Sequence, residues 1–296
     1  MRRSAQRLVV SSRMMEGGGF VVRRPFPTEQ MAQFDPFLLL DEMGPVEWGP
    51  GEAVGAPDHP HRGFETVTYL LDGEMRHQDS HGHQGDLGPG DVQWMTAGSG
   101  VIHSEMPSQR LRQGGGRVHG FQLWINLPRE HKMMDPRYQD VPADLSPVVF
   151  SEEGDVRVRI IAGRALGHEA RLMTVIPITY LHISLQATAR IVAEVPQEQS
   201  AFAYVFEGSA KVGLGGERVR DADEGQAILL GQEGDEVEMQ AGHLGAEVLL
   251  IGGKSLGEPV ARYGPFVMNT TDEIRQAMAD YQSGQFGRIP PGVHEL

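Results

Sequence analysis

Residues 58–73 read DHPHRGFETVTYLLDG, which is two histidines, then a strand-like run, then a turn. Side chains two positions apart on extended backbone point to the same side, so His59 and His61 share a face. The later motif VIHSEMP places His103 and Glu105 at the same spacing. Two such pairs on neighbouring strands would converge on one ion, so the sequence predicts a mononuclear metal site.

An internal repeat predicts the architecture. Residues 69–73 (YLLDG) correspond to residues 204–208 (YVFEG), and residues 89–95 (PGDVQWM) correspond to residues 224–230 (EGQAILL), each time 135 positions later. The constant offset indicates that the segment between the two blocks keeps its length. With short, turn-bounded strand patterns, 38 glycines and 19 prolines, the repeat predicts an all-β chain built from two copies of one unit.

The second copy lacks the ligand set of the first. At the same offset, the positions of the four candidate ligands are occupied by Glu194, Pro196, Glu238 and Gln240. We therefore expect a metal-binding domain over residues 1–140 and a degenerate, structural domain over residues 141–296.

One helix is predicted, near the end of the second domain. Residues 271–282 have a helical pattern, Asp272 or one of the threonines Thr270 and Thr271 would cap its start, and Gly284 would stop it.

Composition argues against several classes of function. A formal charge of −14 argues against a nucleic-acid-binding surface, because phosphate backbones attract net positive proteins. The absence of cysteine excludes disulfides, thiolate zinc sites and a cysteine nucleophile. The early apolar run Leu8-Val9-Val10 is too short for a signal-peptide core, and no stretch has the length of a membrane span. We expect a soluble, cytoplasmic protein that binds neither nucleic acid nor membrane.

The remaining histidines are expected to have ordinary roles. His77, His81 and His83 lie in or beside a turn-forming segment and are interpreted as solvated loop histidines. Six others are isolated in the sequence and are not assigned to a site: His119, His131, His168, His182, His243 and His294.

Ligand type narrows the choice of metal without fixing it. Three imidazoles and one carboxylate suit a borderline divalent ion such as iron, manganese, nickel, copper or zinc. Four protein ligands nearly fill tetrahedral zinc, whereas six-coordinate iron keeps two positions open for substrate or dioxygen. The donor set therefore favours redox chemistry over zinc hydrolysis.

Several blocks of the sequence resemble the pirin family, whose members contain two cupin domains. These blocks are HPHRGFETVTY (59–69), PGDVQWMTAG (89–98) and HSEMP (103–107), with flanking segments FDPFLLLDE (34–42) and GPFVMNT (264–270). The resemblance covers essentially the whole chain. It implies two tandem cupin, jelly-roll type β-barrels with one metal, usually iron, in the N-terminal barrel.

The resemblance also implies a site. The family's ligand positions fall on His59, His61, His103 and Glu105, while Glu65 is left with a supporting or strand role. The expected cofactor is one divalent ion, Fe(II) in the first place, with Zn, Mn, Ni, Co and Cu as alternatives.

Some pirins resemble quercetin 2,3-dioxygenases, which open the flavonol heterocycle with O2 and release carbon monoxide. For this chain that implies a small aromatic or flavonol-like substrate, Glu105 as catalytic base, and Arg62, Gln122 and Trp124 as candidates for the pocket wall. Animal pirins imply an alternative, an iron-dependent, redox-responsive regulatory protein with a protein partner. A different metal-dependent oxygenase or isomerase is a third reading, because the cupin fold hosts many chemistries.

Overall fold

The structure is a computed structural model that describes residues 1–29 and 31–290. Strands dominate, and the described residues contain two α-helices, α1 (Gln109–Gly114) and α2 (Thr271–Gln282), and a 3-10 helix (Arg129–His131). The strands are β1 (Ala5–Val10), β2 (Ser12–Glu16), β3 (Phe20–Phe26), β4 (Phe37–Trp48), β5 (Ala56–His61), β6 (Phe64–Asp72), β7 (Met75–Asp79), β8 (Gln84–Leu87), β9 (Val92–Thr96), β10 (Val101–Pro107), β11 (Gly116–Asn126), β12 (Arg137–Val141), β13 (Val148–Phe150), β14 (Val156–Ala162), β15 (Arg164–Ala165), β16 (His168–Glu169), β17 (Ile178–Leu185), β18 (Arg190–Glu194), β19 (Gln199–Val212), β20 (Arg220–Asp223), β21 (Gln226–Leu230), β22 (Glu236–Lys254), β23 (Ala261–Tyr263) and β24 (Phe266–Met268). The predicted all-β class with a short helix late in the chain is confirmed. No helix in the described part of the chain is long and apolar enough to cross a bilayer.

The chain divides into two compact units. The first barrel comprises Arg13–Arg24, Phe37–Ala143 and the described residues from Leu256, and the second barrel comprises Met1–Ser12, Pro25–Pro36 and Asp144–Ser255.

This division corrects the predicted boundaries at both ends of the chain. Strand β1, placed in the first domain by the prediction, pairs with β21 in the second barrel. Helix α2, placed in the second domain, buries Ile274 and Ala277 against Phe266 and Phe286 in the first barrel. Local sequence patterns do not show which distant segment will cover an apolar face, and this is why a single cut at residue 140 misassigned both ends.

The first barrel contains two antiparallel sheets that bring the two sequence pairs together. One sheet has the strand order β12-β9-β6-β11-β4-β3-β2, and the other has the order β5-β10-β7-β8. Because β5 and β10 are direct neighbours, the histidines of the two pairs meet on adjacent strands.

The second barrel repeats this plan around an apolar interior. Its sheet has the order β1-β21-β19-β22-β17-β14-β13, with β18 on β22 and β20 on β19. The repeat is visible in equivalent hydrogen bonds: the Gly90 amide donates to Leu70 at 2.7 Å, and the Gly225 amide donates to Val205 at 2.8 Å. The predicted duplication with an offset of 135 is therefore present in the backbone.

The interiors of the two copies differ in chemistry. Thr68 faces Gln93 across the pair β6–β9, and the equivalent positions of the second barrel are occupied by Ala203 and Ile228. Ala203 and Ile228 belong to a continuous cluster of buried aliphatic side chains. Polar groups line one barrel and hydrocarbon fills the other.

The start of α2 is fixed by a capping box. The Thr270 side chain accepts from the Glu273 amide, and the Glu273 carboxylate accepts from the Thr270 amide. Of the caps proposed from the sequence, Thr270 is therefore the one used.

Candidate metal centre

Three histidines of the two sequence pairs lie together on β5 and β10. The strands pair antiparallel with His59 opposite His103 and His61 opposite Val101. The three ring centroids are 4.4 to 4.9 Å apart. One ligand nitrogen from each ring lies within 4.8 Å of the other two. The histidine cluster inferred from the spacing is formed.

Burial keeps two of these rings neutral. It lowers the pKa of His61 and of His103 well below the usual histidine value, and the neighbouring His59 lowers both further. Both ring nitrogens of His103 and Nδ1 of His61 are buried without a hydrogen-bond partner among the described residues. A buried nitrogen that lacks a partner costs stability, so these atoms fit a site that is completed by a metal ion.

The third ring is oriented by the backbone. His59 Nδ1 lies 2.7 Å from the carbonyl oxygen of Pro57. A carbonyl can only accept, so Nδ1 carries the hydrogen and Nε2 keeps its lone pair in the neutral ring. Such a hydrogen bond fixes the tautomer of a metal-binding histidine.

Glu105 lies beside the three rings but does not join their cluster. Its carboxylate is 2.7 Å from the hydroxyl of Thr68, and it lines the same cavity as His59 and His61. Burial raises the pKa of Glu105, while the bond from Thr68 and the charge of His59 oppose the rise. The role of Glu105 as fourth ligand stays a prediction.

The Thr68 hydroxyl links Glu105 to the opposite wall. It lies 2.7 Å from Glu105 Oε1 and 2.7 Å from Gln122 Oε1, yet it has a single hydrogen to donate. Only one of these two oxygens can therefore receive the hydrogen bond from Thr68 at a time.

The histidines open onto a cavity of about 480 Å³. Gln122 and Trp124 project from β11 into its wall, as the alternating pattern of that strand predicts. The rings of His61 and Trp124 meet edge to face, with centroids 5.1 Å apart. The cavity is large enough for a small organic molecule, since such sites measure roughly 300 to 1,000 Å³.

Comparison with known proteins identifies the family. The Pirin family model matches residues 19–125, and the model of the Pirin C-terminal cupin domain matches residues 180–287. The chain belongs to the pirin family. It is 41% identical to a pirin-like protein of Solanum lycopersicum over 280 residues, which cover 94% of this chain and 91% of that protein.

Comparison with solved structures gives the same result as the family models. A crystal structure of quercetin 2,3-dioxygenase from Acinetobacter baumannii superposes with a TM-score of 0.90 at 34% identity, covering 98% of this chain and all of that one. A bacterial pirin of Escherichia coli in complex with nickel(II) gives a TM-score of 0.60 at 21% identity, with 83% of this chain and 97% of that chain covered, and supports the fold alone.

In this pirin-family chain Arg62 does not line the cavity, which corrects the expectation for that residue. Its guanidinium donates through Nε to the Ser99 carbonyl at 2.6 Å and through Nη1 to Asp280 at 2.7 Å, and it lies over the ring of Phe286. These contacts turn it away from the histidines. Arg62 therefore fastens the end of β5 to the segment containing α2.

The backbone just after the ligand pair depends on a glycine. Gly63 has φ +88°, and a Cβ built there would lie 2.0 Å from the carbonyl oxygen of Val267. Both the left-handed conformation and this close approach exclude a side chain. Lys132 reinforces the contact, because its Nζ donates to Gly63 and Val267 at 2.7 and 3.0 Å.

His77 departs from its predicted role. His81 and His83 are exposed, as expected, but His77 lies on β7, is 1% exposed and sits opposite Glu105 across the pair β7–β10. Its ring packs on Tyr138, with centroids 4.8 Å apart. The prediction was wrong because His77 was grouped with the turn-forming residues that begin at Gln78, although it lies on a strand.

Other histidines and Glu65 lie outside the cluster. His119 contacts Glu42 at 2.9 Å and His182 contacts Glu247 at 2.7 Å, while His294 lies outside the described residues. Glu65 accepts from Thr96 at 2.7 Å on the face of β6 opposite Thr68.

Sequence reasoning missed two cationic residues that line the cavity, Arg24 and Arg262. Arg262 lines it, with its guanidinium 4.9 Å from the centre of the Trp124 ring and 3.3 Å from the Leu38 carbonyl. Burial and the charge of Arg24 lower its pKa. Its position two residues before Gly264, at the edge of a family block, was the available signal.

Proposed function

We propose that this chain is a metal-dependent dioxygenase that opens the heterocycle of a flavonol such as quercetin with O2 and releases carbon monoxide. The observation that carries the proposal is the convergence of three imidazoles, with a buried carboxylate beside them, on one cavity. The likeness to the Acinetobacter quercetin 2,3-dioxygenase supports it. The reaction balances as one flavonol and one O2 giving one ring-opened ester and one carbon monoxide.

The residues present fit a divalent ion, with Fe(II) as our first choice and Zn, Mn, Ni, Co and Cu as alternatives. His59, His61 and His103 would hold it, and Glu105 is the proposed fourth ligand. The Escherichia coli pirin, which shares the fold, was solved in complex with nickel(II). The bound ion would supply Lewis acidity and a path for electrons between substrate and dioxygen.

Glu105 is the proposed base for the 3-hydroxyl proton of the flavonol. It lies in the cavity wall, and its pKa is raised by burial, which makes its carboxylate a stronger proton acceptor. Thr68 holds one carboxylate oxygen and so fixes the direction from which the proton arrives. The proton taken from the 3-hydroxyl would reside on Glu105 until the ring-opened product leaves.

The opposite wall is suited to a flat aromatic ligand. Trp124 contributes an aromatic ring whose centroid lies 4.4 Å from that of Phe64 and 4.9 Å from the Arg262 guanidinium. The carbonyl oxygen of the Gln122 side chain accepts from Thr68, so its NH2 group remains to donate to a carbonyl or hydroxyl of the ligand. These residues would orient the flavonol with its 3-oxygen toward the histidines.

The proposal is tested by loading the protein anaerobically with iron(II), adding quercetin, and then admitting oxygen. We expect loss of flavonol absorbance together with one carbon monoxide per flavonol consumed. The variant Glu105→Gln should bind iron yet turn over at least about a hundredfold more slowly. Absence of turnover with iron, manganese, nickel, cobalt and copper would rule the dioxygenase out.

A further inference from the structure

A second cavity, of about 340 Å³, lies in the first barrel next to the metal cavity. Its walls are mostly apolar, and they include Val46 and Trp48 of β4, Val54 of the following loop, and Leu111 of α1. We call this space the apolar compartment. Two arginines, Arg13 and Arg23, also line the compartment. Arg23 is already paired with Glu42, so it does not require a negatively charged ligand.

The apolar compartment and the metal cavity share a wall. Phe20, Met43 and Met75 line both spaces. Two of the three are methionines, whose unbranched side chains adapt to the shape of what they contact. The third, Phe20, stands where the glycine turn of the β2–β3 hairpin ends. A ligand held at the histidines would therefore reach the second space past the two methionines, whose side chains can move aside.

The hairpin is held in a fixed place beside this wall. The Gly18 amide donates to the Gly55 carbonyl at 2.7 Å, and a Cβ built on Gly18 would lie 2.7 Å from that oxygen. The contact ties the hairpin turn to the loop that leads into β5. Phe20 is thereby positioned between the two spaces by backbone contacts on its own turn.

We propose that the apolar compartment binds the aryl substituent of a two-part aromatic ligand whose chelating ring system lies in the metal cavity. The inference rests on the proposed flavonol function for the chelating part and adds a separate subsite for the rest. A flavonol has this shape, with a hydroxyketone in its fused rings and a pendant phenyl group. Burying that phenyl among aliphatic and aromatic walls would strengthen binding, because apolar surface leaves water.

Two compounds isolate the effect. 3-Hydroxyflavone and 3-hydroxychromone carry the same chelating ring system and differ only in the pendant phenyl group. Their dissociation constants would be measured anaerobically on iron(II)-loaded protein, so that no turnover occurs. We expect the wild type to bind 3-hydroxyflavone at least about tenfold more tightly.

Variants that fill the compartment should remove that preference. Val54 is 36% exposed, so Val54→Trp can fill the space with little cost to folding, and Val46→Phe fills it from β4. The matched control is Val192→Trp, at a valine of the second barrel that is 39% exposed. Both filling variants should weaken 3-hydroxyflavone about tenfold and change 3-hydroxychromone by less than about twofold.

The outcomes separate this inference from the function on which it rests. Equal affinity of the wild type for both compounds would overturn the subsite and leave the flavonol function standing. A preference for 3-hydroxyflavone that survives in both filling variants would overturn it as well, as would equal weakening of both compounds. If neither compound bound the iron-loaded wild type, the flavonol function and the subsite would fail together.

Discussion

Arg62 Nη1 lies 2.7 Å from Asp280 Oδ2, and the ion pair they form is buried. The pair joins the residue that follows His61 to α2, which comes more than two hundred positions later in the chain. Since the same guanidinium also holds Ser99, just before β10, one arginine fastens the ends of both ligand strands.

Breaking this pair should destabilise the first barrel. Asp280→Asn leaves the Arg62 guanidinium buried without its counter-charge, and we expect a loss of about 3 kcal/mol in the free energy of unfolding. Denaturant unfolding of the metal-free protein measures it. The control is Asp272→Asn at the exposed pair with Arg275, which should cost less than about 1 kcal/mol. Equal costs for the two variants would refute the role given to Arg62.

Removing His103 should separate metal binding from stability. His103→Ala should lower metal affinity by more than about a hundredfold, because one of three imidazoles is lost. Since both its ring nitrogens are buried without a partner, His103→Leu should leave the metal-free protein at least as stable as the wild type. Isothermal titration with a divalent metal and thermal unfolding report the two effects.

His168→Ala serves as the control for this experiment. That histidine is exposed and belongs to the second barrel. Unchanged metal affinity in His103→Ala would show that the cluster does not hold the ion.

Because Lys132 is buried, the free energy of unfolding should vary with pH in the alkaline range. Burial lowers its pKa from the usual 10.5 to about 8. Between these values the unfolded chain binds more protons than the folded chain, so this lysine makes stability rise with pH across the window, by up to about 1.4 kcal/mol per pH unit. Below pH 8 the lysine is protonated in both the folded and the unfolded chain, so the whole free-energy cost of burying its charge lowers the stability.

The variant Lys132→Met should lack that rise. It should also be less stable than the wild type near neutral pH, because three oxygens, on Gly63, Asn126 and Val267, lose their donor. Unfolding free energies from pH 7.5 to 10.5 give the slope, and the exposed Lys254→Met is the matched control. A slope in Lys132→Met equal to that of the wild type would contradict the assignment.

Thr68 should act on turnover through Glu105. Thr68→Val removes the hydroxyl that holds the carboxylate, and we expect the turnover number for quercetin to fall about tenfold with metal content unchanged. Thr68→Ser keeps the hydroxyl and should recover most of the rate. If valine and serine variants behaved alike, the effect would come from packing and not from the hydrogen bond.

The sequence was most informative where the pattern was local or repeated. The prediction from the spacing of His59 and His61 is confirmed because both residues lie on one extended strand. The prediction from the 135-residue offset is confirmed because the two copies share equivalent backbone hydrogen bonds. Both features depend on near neighbours in the chain or on the repeat itself.

Long-range packing was what the sequence concealed. Arg62 and His77 both looked like residues facing solvent or ligand, yet one is neutralised by Asp280 and the other is buried against Tyr138. Arg262 enters the metal cavity from a segment that the repeat does not include. Such partners lie too far apart in the chain for spacing to reveal them.

The first barrel is assembled from three separate stretches, and the last of them is translated only after the whole second barrel. A nascent chain of which only residues 1–143 have emerged from the ribosome therefore contains every candidate ligand. It lacks Asp280, Phe286 and the carbonyl oxygen of Val267. We expect such a chain to hold a metal ion weakly, which a truncated protein ending at residue 143 would show by equilibrium dialysis. Tight metal binding would then begin only after the stretch that starts at Leu256 has been synthesised.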